Sequence, residues 1–365
     1  MCSSDLNSLL GLPGAETVAT PEYHFLRGGD VSGKSPLACQ SYPKTAAPIP
    51  KFDVEGVRRD FPALHQLVNG KPLIWLDNAA TTHKPQAVID ATSQFYGRDN
   101  SNIHRAAHAL AARSTALFEA DREKVRKFLG AADAKEIIFV RGTTEAINPV
   151  AQSHGRKNIG VGDEIIVSEL EQHANIVPWQ LLAGQVGATL RVIPINDRGE
   201  LILEEFVKLL SDKTKFVSVA HVSNSLGTLN PVEQIIALAH ARGVVGLGAA
   251  IDYLFKVGIP GIAAYEHALL EYATQALATI PGLRPGGTAV SKASVLAFVI
   301  PGVPNDSVAR HLDKNGIAVS AGHHCALPAI RHFGLESSVR PSLAFYNTRE
   351  EIDALVLALR SLKRT

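Results

Sequence analysis

Residues 164–195, EIIVSELEQHANIVPWQLLAGQVGATLRVIPI, decide the fold class. Glu164 to Ser168 is a short Ile/Val-rich run, Asn175 to Val186 repeats its apolar residues at helical spacing, and Thr189 to Ile195 is a second strand-like run. Strands buried in a parallel sheet carry continuous apolar runs, and a helix between two of them is the crossover that parallel pairing requires. The stretch therefore predicts one βαβ unit.

The same alternation extends to both sides. Upstream, Glu136 to Val140 predicts a strand, Thr144 to His154 a helix, and Ala106 to Leu129 one long helix. Downstream come a helix over Leu203 to Leu210, a strand over Lys215 to Val222 and a helix over Pro231 to Arg242. This order marks an α/β, doubly wound, mostly parallel sheet. Beyond residue 285 the pattern changes to a strand at Ser294 to Ile300, a helix from about Asn305, a short strand at Ile317 to Ser320 and a final helix from Thr348, a smaller C-terminal α+β domain. The expected organisation is a flexible extension over 1–50, a large domain over 51–258 and a small domain over 259–365. The extension is rich in Pro, Gly, Ser and Thr, and its Leu9-Leu-Gly-Leu-Pro13 reads either as a docking peptide or as an apolar tail segment without a partner. One place breaks the alternation. After Pro231 to Arg242 a parallel sheet expects another strand, but Gly243 leads into Val244 to Leu254, which has helical period. The large domain is therefore expected to be interrupted at 243/244 and incomplete.

Composition excludes several classes. The 365 residues carry 36 Lys+Arg against 35 Asp+Glu, and a net charge of +1 argues against a protein held to nucleic acid or membrane by bulk charge. No run nears the ~18 apolar residues of a membrane helix, and the N-terminus lacks a signal-peptide layout, so a cytoplasmic protein is expected. Cys2, Cys39 and Cys325 are too few and scattered for a disulfide framework and read as free thiols.

Several motifs could carry chemistry. Gly28 to Ser35 matches the P-loop pattern, yet no strand precedes it and no helix follows, so it reads as a glycine-rich turn rather than a nucleotide site. Arg141-Gly-Thr143-Thr144-Glu145 lies between a predicted strand and helix, where first-turn N–H groups face an anion or are simply capped. Glu171-Gln-His173-Ala-Asn175 and His221-Val-Ser-Asn224 end two further strands. Three polar strand ends on one rim predict a ligand site, because ligands of doubly wound sheets bind beyond the strand C-termini. In Gly322-His-His-Cys325-Ala-Leu-Pro328 a thiol beside two imidazoles can be held as the nucleophilic thiolate, with a zinc ligand or a buried structural cysteine as rivals. Arg340 suits bidentate capture of a carboxylate or a surface ion pair.

Six ordered motifs, Leu76-Asp-Asn-Ala-Ala-Thr-Thr82, Asn102-Ile-His-Arg105, Arg141 to Asn148, His173 to Trp179, His221 to Asn224 and Gly322 to Ala326, resemble the SUF-type cysteine desulfurases of the class V aminotransferases. That resemblance implies a fold type I enzyme using pyridoxal 5'-phosphate, which converts L-cysteine to L-alanine, places persulfide on Cys325 and serves iron–sulfur cluster assembly. It implies that Thr143 and Thr144 hold the cofactor phosphate, that His173 and Asn224 lie at the cofactor, and that Asn224 and Arg340 bind the substrate carboxylate. His104 would line the entrance. A homodimer and a sulfur-acceptor protein are implied as partners. The extension is similar in placement and composition to the arms of cysteine desulfurases packaged in encapsulin shells, which implies a protein nanocompartment.

The departures from the family pattern matter equally. The family strand with an Asp for the pyridine nitrogen, and the Ser-Gly-His-Lys whose Lys forms the Schiff base, have no counterpart around Gly243. Gln172 stands where the family has His, and Ser320 where it has Arg. Lys84, Lys292 and Lys314 remain, none in a Ser-Gly-His-Lys context. Activity of this chain is therefore expected to be impaired. The alternative is a catalytically silent sulfur carrier or an encapsulated, partner-binding subunit.

Overall fold

The computed structural model describes residues 52–103, 108–242, 244–247 and 259–362. His104, the Gly28 to Ser35 match and Leu9 to Pro13 lie outside the described residues. The chain forms two compact units, one over Lys84–Val140 and one joining Ile49–His83 to Arg141–Thr365.

The first unit is helical. α1 (Gln86–Gln94) precedes α2 (Ala109–Leu129), the long helix expected from the sequence. His108 caps α2 through Nδ1, which accepts the Ala111 N–H at 3.2 Å, and Gly130 ends it in the left-handed conformation at φ 67°. A left-handed C-terminal residue of this kind favours glycine. The expected strand at Glu136 to Val140 does not form. Ala134–Glu136 is a 3-10 turn, and 137–140 runs extended outside any described ladder with Ile138 77% exposed. Apolar β-branched sequence alone does not make a strand, because a strand takes its hydrogen bonds from a neighbour.

The second unit carries the sheets. A small antiparallel hairpin of Leu67–Val68 and Lys71–Pro72 precedes β1 (Ile74–Trp75), and α3 (Thr143–Val150) precedes a parallel sheet of β2 (Glu164–Ser168), β3 (Thr189–Ile193), β4 (Thr214–Ser218) and β5 (Val245–Leu247) in the order β3-β2-β4-β5. Every residue of β2 is buried, as its unbroken apolar run requires. The crossovers are α4 (Val177–Val186), α5 (Leu203–Leu209) and α6 (Val232–His240). Trp179 and Leu182 of α4 pack with Ile165, Val167, Phe216 and Ile147 in one core. The helix expected from Val244 is corrected at its start. Val245 to Leu247 pair in parallel with Phe216 to Ser218, because the open edge of β4 offers this segment a ladder.

The C-terminal part is antiparallel. After α7 (Ile259–Ala278), strands β6 (Arg284–Gly286) and β7 (Ala297–Val299) lead to α8 (Asn305–Asp313). The expected strand Ile317 to Ser320 is split between two sheets. β8 (Ile317–Ala318) pairs in parallel with β1, while β9 (Ser320–Gly322) joins the order β9-β10-β7-β6, where β10 is Ser338–Arg340. Between them lies α9 (Leu327–His332), and α10 (Arg349–Arg360) closes the core over Phe298, Val308 and Leu312. Thr348 and Glu351 form a reciprocal capping box at the start of α10.

Candidate active site

Arg340 ends β10 and is 3% exposed. Its Nη1 donates to the Asn224 carbonyl at 2.9 Å, and Nη2 donates to Asp77 Oδ1 at 3.1 Å and Ser320 Oγ at 3.3 Å. Asp77 follows β1 and is held beside Ser342 by a parallel bridge, whereas Ser320 opens β9 and donates to the same Asp77 Oδ1 at 2.7 Å. Asn224 Nδ2 donates to the His324 carbonyl at 2.6 Å, tying the end of the β4 loop to the cysteine loop. Arg340 Nε and Asn224 Oδ1 are buried without a hydrogen-bond partner. An unsatisfied buried polar atom costs about 1–3 kcal/mol, so two in one cluster mark a place prepared for a ligand.

The cysteine loop runs from β9 to α9 through two consecutive left-handed residues, His324 at φ 52° and Cys325 at φ 54°. Cys325 is exposed, which removes the reading of a buried structural cysteine. Its N–H donates to His323 Nδ1 at 3.1 Å, and its carbonyl accepts the His173 N–H at 2.8 Å. The His173 and His323 rings lie 5.6 Å apart. His324 points inward, with Nε2 3.0 Å from Ser338 Oγ. Burial, reinforced by the Arg340 charge, lowers its pKa to about 4. The expectation of a thiol supported by two imidazoles is corrected accordingly, since a His324 that is neutral at pH 7 lends no positive charge to a thiolate.

Beneath His173 lies a polar network. Glu171 is fully buried and accepts from Ser168 Oγ at 2.5 Å, Asn175 Nδ2 at 2.8 Å and the Ala220 N–H at 2.9 Å. Asn175 Oδ1 accepts from Ser218 Oγ at 2.6 Å and Trp179 Nε1 at 3.0 Å. Burial raises the Glu171 pKa although all three neighbours are donors. The 3-10 turn His173–Asn175 is thus pinned to the ends of β2 and β4, and α3 packs against it. At the start of α3, Thr143 and Thr144 are exposed, Gly142 has no side-chain cap, and a Cβ built there would meet nothing within 4 Å.

Thr143, Thr144, His173, Asn224, Arg340 and Cys325 all belong to the second unit. Asp77 and Glu171 were not singled out by the sequence. Each stands inside a quoted motif; no local spacing betrays the partner of Asp77 263 residues away, whereas Ser168 and Asn175, three and four residues from Glu171, were a local signal.

The open helix start suits a phosphate, the Arg340 Nε donor suits a carboxylate, and the Asn224 Oδ1 acceptor suits a phenolic O–H, so pyridoxal phosphate fits at those ends. The amine end does not fit. Lys84 and Lys314 are exposed, and Lys292 Nζ is directed to the Gly287 carbonyl at 3.1 Å.

With this geometry agrees the sequence profile described as Aminotransferase class-V, which matches residues 74–245 and 242–355. The chain belongs to the class V aminotransferase family. Within it, the chain is similar to curated proteins named cysteine desulfurase: 46% identical over 400 residues to one from Synechococcus elongatus, covering 86% of this chain and 64% of that one, and 37% identical over 406 residues to one from Dickeya dadantii, covering 87% and 98%. The chain thus spans somewhat less than two thirds of the Synechococcus relative. Among solved structures, the cysteine desulfurase CsdA from Escherichia coli superposes with a TM-score of 0.72 at 30% identity, over 85% of this chain and 98% of that one. An apo cysteine desulfurase from Thermococcus onnurineus NA1 gives 0.76 at 26%, over 86% and 98%. The fold is the one these enzymes share. The two profile segments meet at 242–245, between the end of α6 and the start of β5. Since 86% of 365 residues is about 314, roughly 86 of the 400 aligned positions of the Synechococcus relative face no residue here.

Proposed function

We propose that this chain is a cysteine desulfurase of impaired turnover, built to take sulfur from L-cysteine onto Cys325 and release L-alanine for iron–sulfur cluster assembly. The observation that carries this is the Asn224–His324 bond, which places the exposed thiol loop beside the orphaned Arg340 Nε and Asn224 Oδ1. Arg340 and Asn224 hold the substrate carboxylate, Thr143 and Thr144 hold the cofactor phosphate, and His173 lies against the cofactor ring. Pyridoxal 5'-phosphate, when bound, supplies the electron sink for the substrate carbons. Cys325 Sγ forms an S–S bond as the substrate C–S bond breaks, and the electron pair left on carbon takes a proton to give the methyl group of alanine. The segment absent after Gly243 removes the lysine on which efficient proton transfer depends, which makes turnover slow. A large domain over 51–258, a small domain over 259–365 and a homodimer belong to this reading, with a sulfur-acceptor protein docking near Cys325. The favoured second reading is a catalytically silent sulfur carrier, because an exposed Cys325 needs no cofactor to hold persulfide.

Incubation with L-cysteine and pyridoxal phosphate, followed by mass spectrometry, is expected to find persulfide on Cys325 and slow alanine release, both abolished by Cys325→Ser. Alanine release independent of Cys325 sinks the proposal. The extension is proposed as an encapsulin-targeting arm, which places the enzyme inside a nanocompartment of the cytoplasm. Removal of residues 1–48 is expected to abolish co-purification with a co-expressed shell protein, and unchanged association ends that idea.

A further inference from the structure

Asp77 places a negative charge on the residue proposed to receive the substrate's own. The Arg340 guanidinium is nearly spent. Nη1 serves the Asn224 carbonyl, Nη2 serves Asp77 and Ser320, and only Nε lacks a partner. A carboxylate taken in two-pronged fashion needs two N–H groups along one edge of the fork. An incoming carboxylate therefore finds one free donor, and the second is shared with Asp77. The side chains differ in freedom, since that of Arg340 is 4% exposed and that of Asp77 19%. Asp77 is the partner that can turn toward water while Asn224 keeps the guanidinium in place. Its other hydrogen-bond partner, the neutral Ser320 hydroxyl, cannot balance its charge, so that charge falls on Arg340.

We propose that Asp77 is a built-in stand-in for the substrate carboxylate, a specificity residue that keeps Arg340 from binding carboxylates lacking a second anchor in the site. The inference rests on the reading of Arg340 as the carboxylate receptor. A bare carboxylate must displace Asp77 with nothing else to hold it. A ligand fixed elsewhere in the site does so within one complex and is admitted.

The test uses the full chain without cofactor, with acetate as probe, acetamide as its neutral control, chloride holding ionic strength constant, and thermal melting as the readout. Asp77→Asn is expected to melt lower than the wild type in chloride. Acetate, not acetamide, should restore its melting temperature saturably, with an apparent affinity about tenfold above that of the wild type. Ser320→Arg, which gives Asp77 another cation and leaves its charge in place, should tighten acetate binding in the same direction. Equal acetate affinity in the wild type and Asp77→Asn overturns the proposal. Should Asp77→Asn fail to fold, unchanged acetate affinity in Ser320→Arg overturns it equally. Arg340→Gln separates the two claims: if acetate binding tightens in Asp77→Asn and persists when Arg340→Gln is added, Arg340 is not the receptor and the underlying reading falls with the proposal. If binding depends on Arg340 but is indifferent to Asp77, only the stand-in role falls.

Discussion

His324 binds its proton far more weakly in the folded chain than the 6.5 of a free imidazole, because it is buried and faces the Arg340 charge. Between pH 6.5 and about 4 the unfolded chain thus holds a proton that the folded chain refuses, so stability falls as the solution is acidified through that window. Replacing His324 by Asn is expected to flatten this part of a stability-against-pH curve measured by urea unfolding, and an unchanged slope contradicts the assignment. The sequence singles out Cys325 and Arg340 with alternatives open, and the structure narrows them, finding Cys325 exposed and Arg340 buried beside Asn224 and Asp77. Asp77 was not singled out, since its meaning depends on a guanidinium that only the folded chain brings to it. The inward turn of His324 was equally hidden, as it follows from the left-handed backbone of the loop.

Secondary structure shows the same division between what is local and what is not. β2 lies over Glu164–Ser168 as its apolar run demanded, and α4 and α5 follow their helical periods to within two residues. Residues 137–140 and 244–247 went the other way for one shared reason, namely that strand formation is decided by the neighbour present. At the join between β2 and α4, the buried Glu171 carboxylate satisfies three donors at once. Glu171→Ala leaves Ser168, Asn175 and the Ala220 amide without their acceptor, and is expected to cost on the order of 3 kcal/mol in chemical denaturation. Glu171→Gln, which keeps an acceptor oxygen, should cost clearly less. Equal losses for the two variants would mean that packing, not hydrogen bonding, holds this corner.

For the chain as a whole, the junction at 242–245 governs what the molecule can do. Roughly 86 of the 400 aligned positions of the Synechococcus relative have no residue here, and the two profile segments meet at 242–245, between α6 and α7. Inserting the corresponding segment of the Synechococcus relative between Gly243 and Val244 is expected to raise the melting temperature and to give the purified protein the visible absorption of a bound coenzyme. A colourless product of unchanged stability would show that the remainder of the chain has drifted beyond repair. The cysteine loop, meanwhile, is fastened at His324 by Asn224 and Ser338, and at Cys325 by the amide bond from His173 to its carbonyl. One such amide bond is worth about 1 kcal/mol, so it can open on its own while the two bonds at His324 keep the base of the loop in place. A sulfur proposed to ride on Cys325 would thus swing outward on an anchored stem rather than leave with the whole loop.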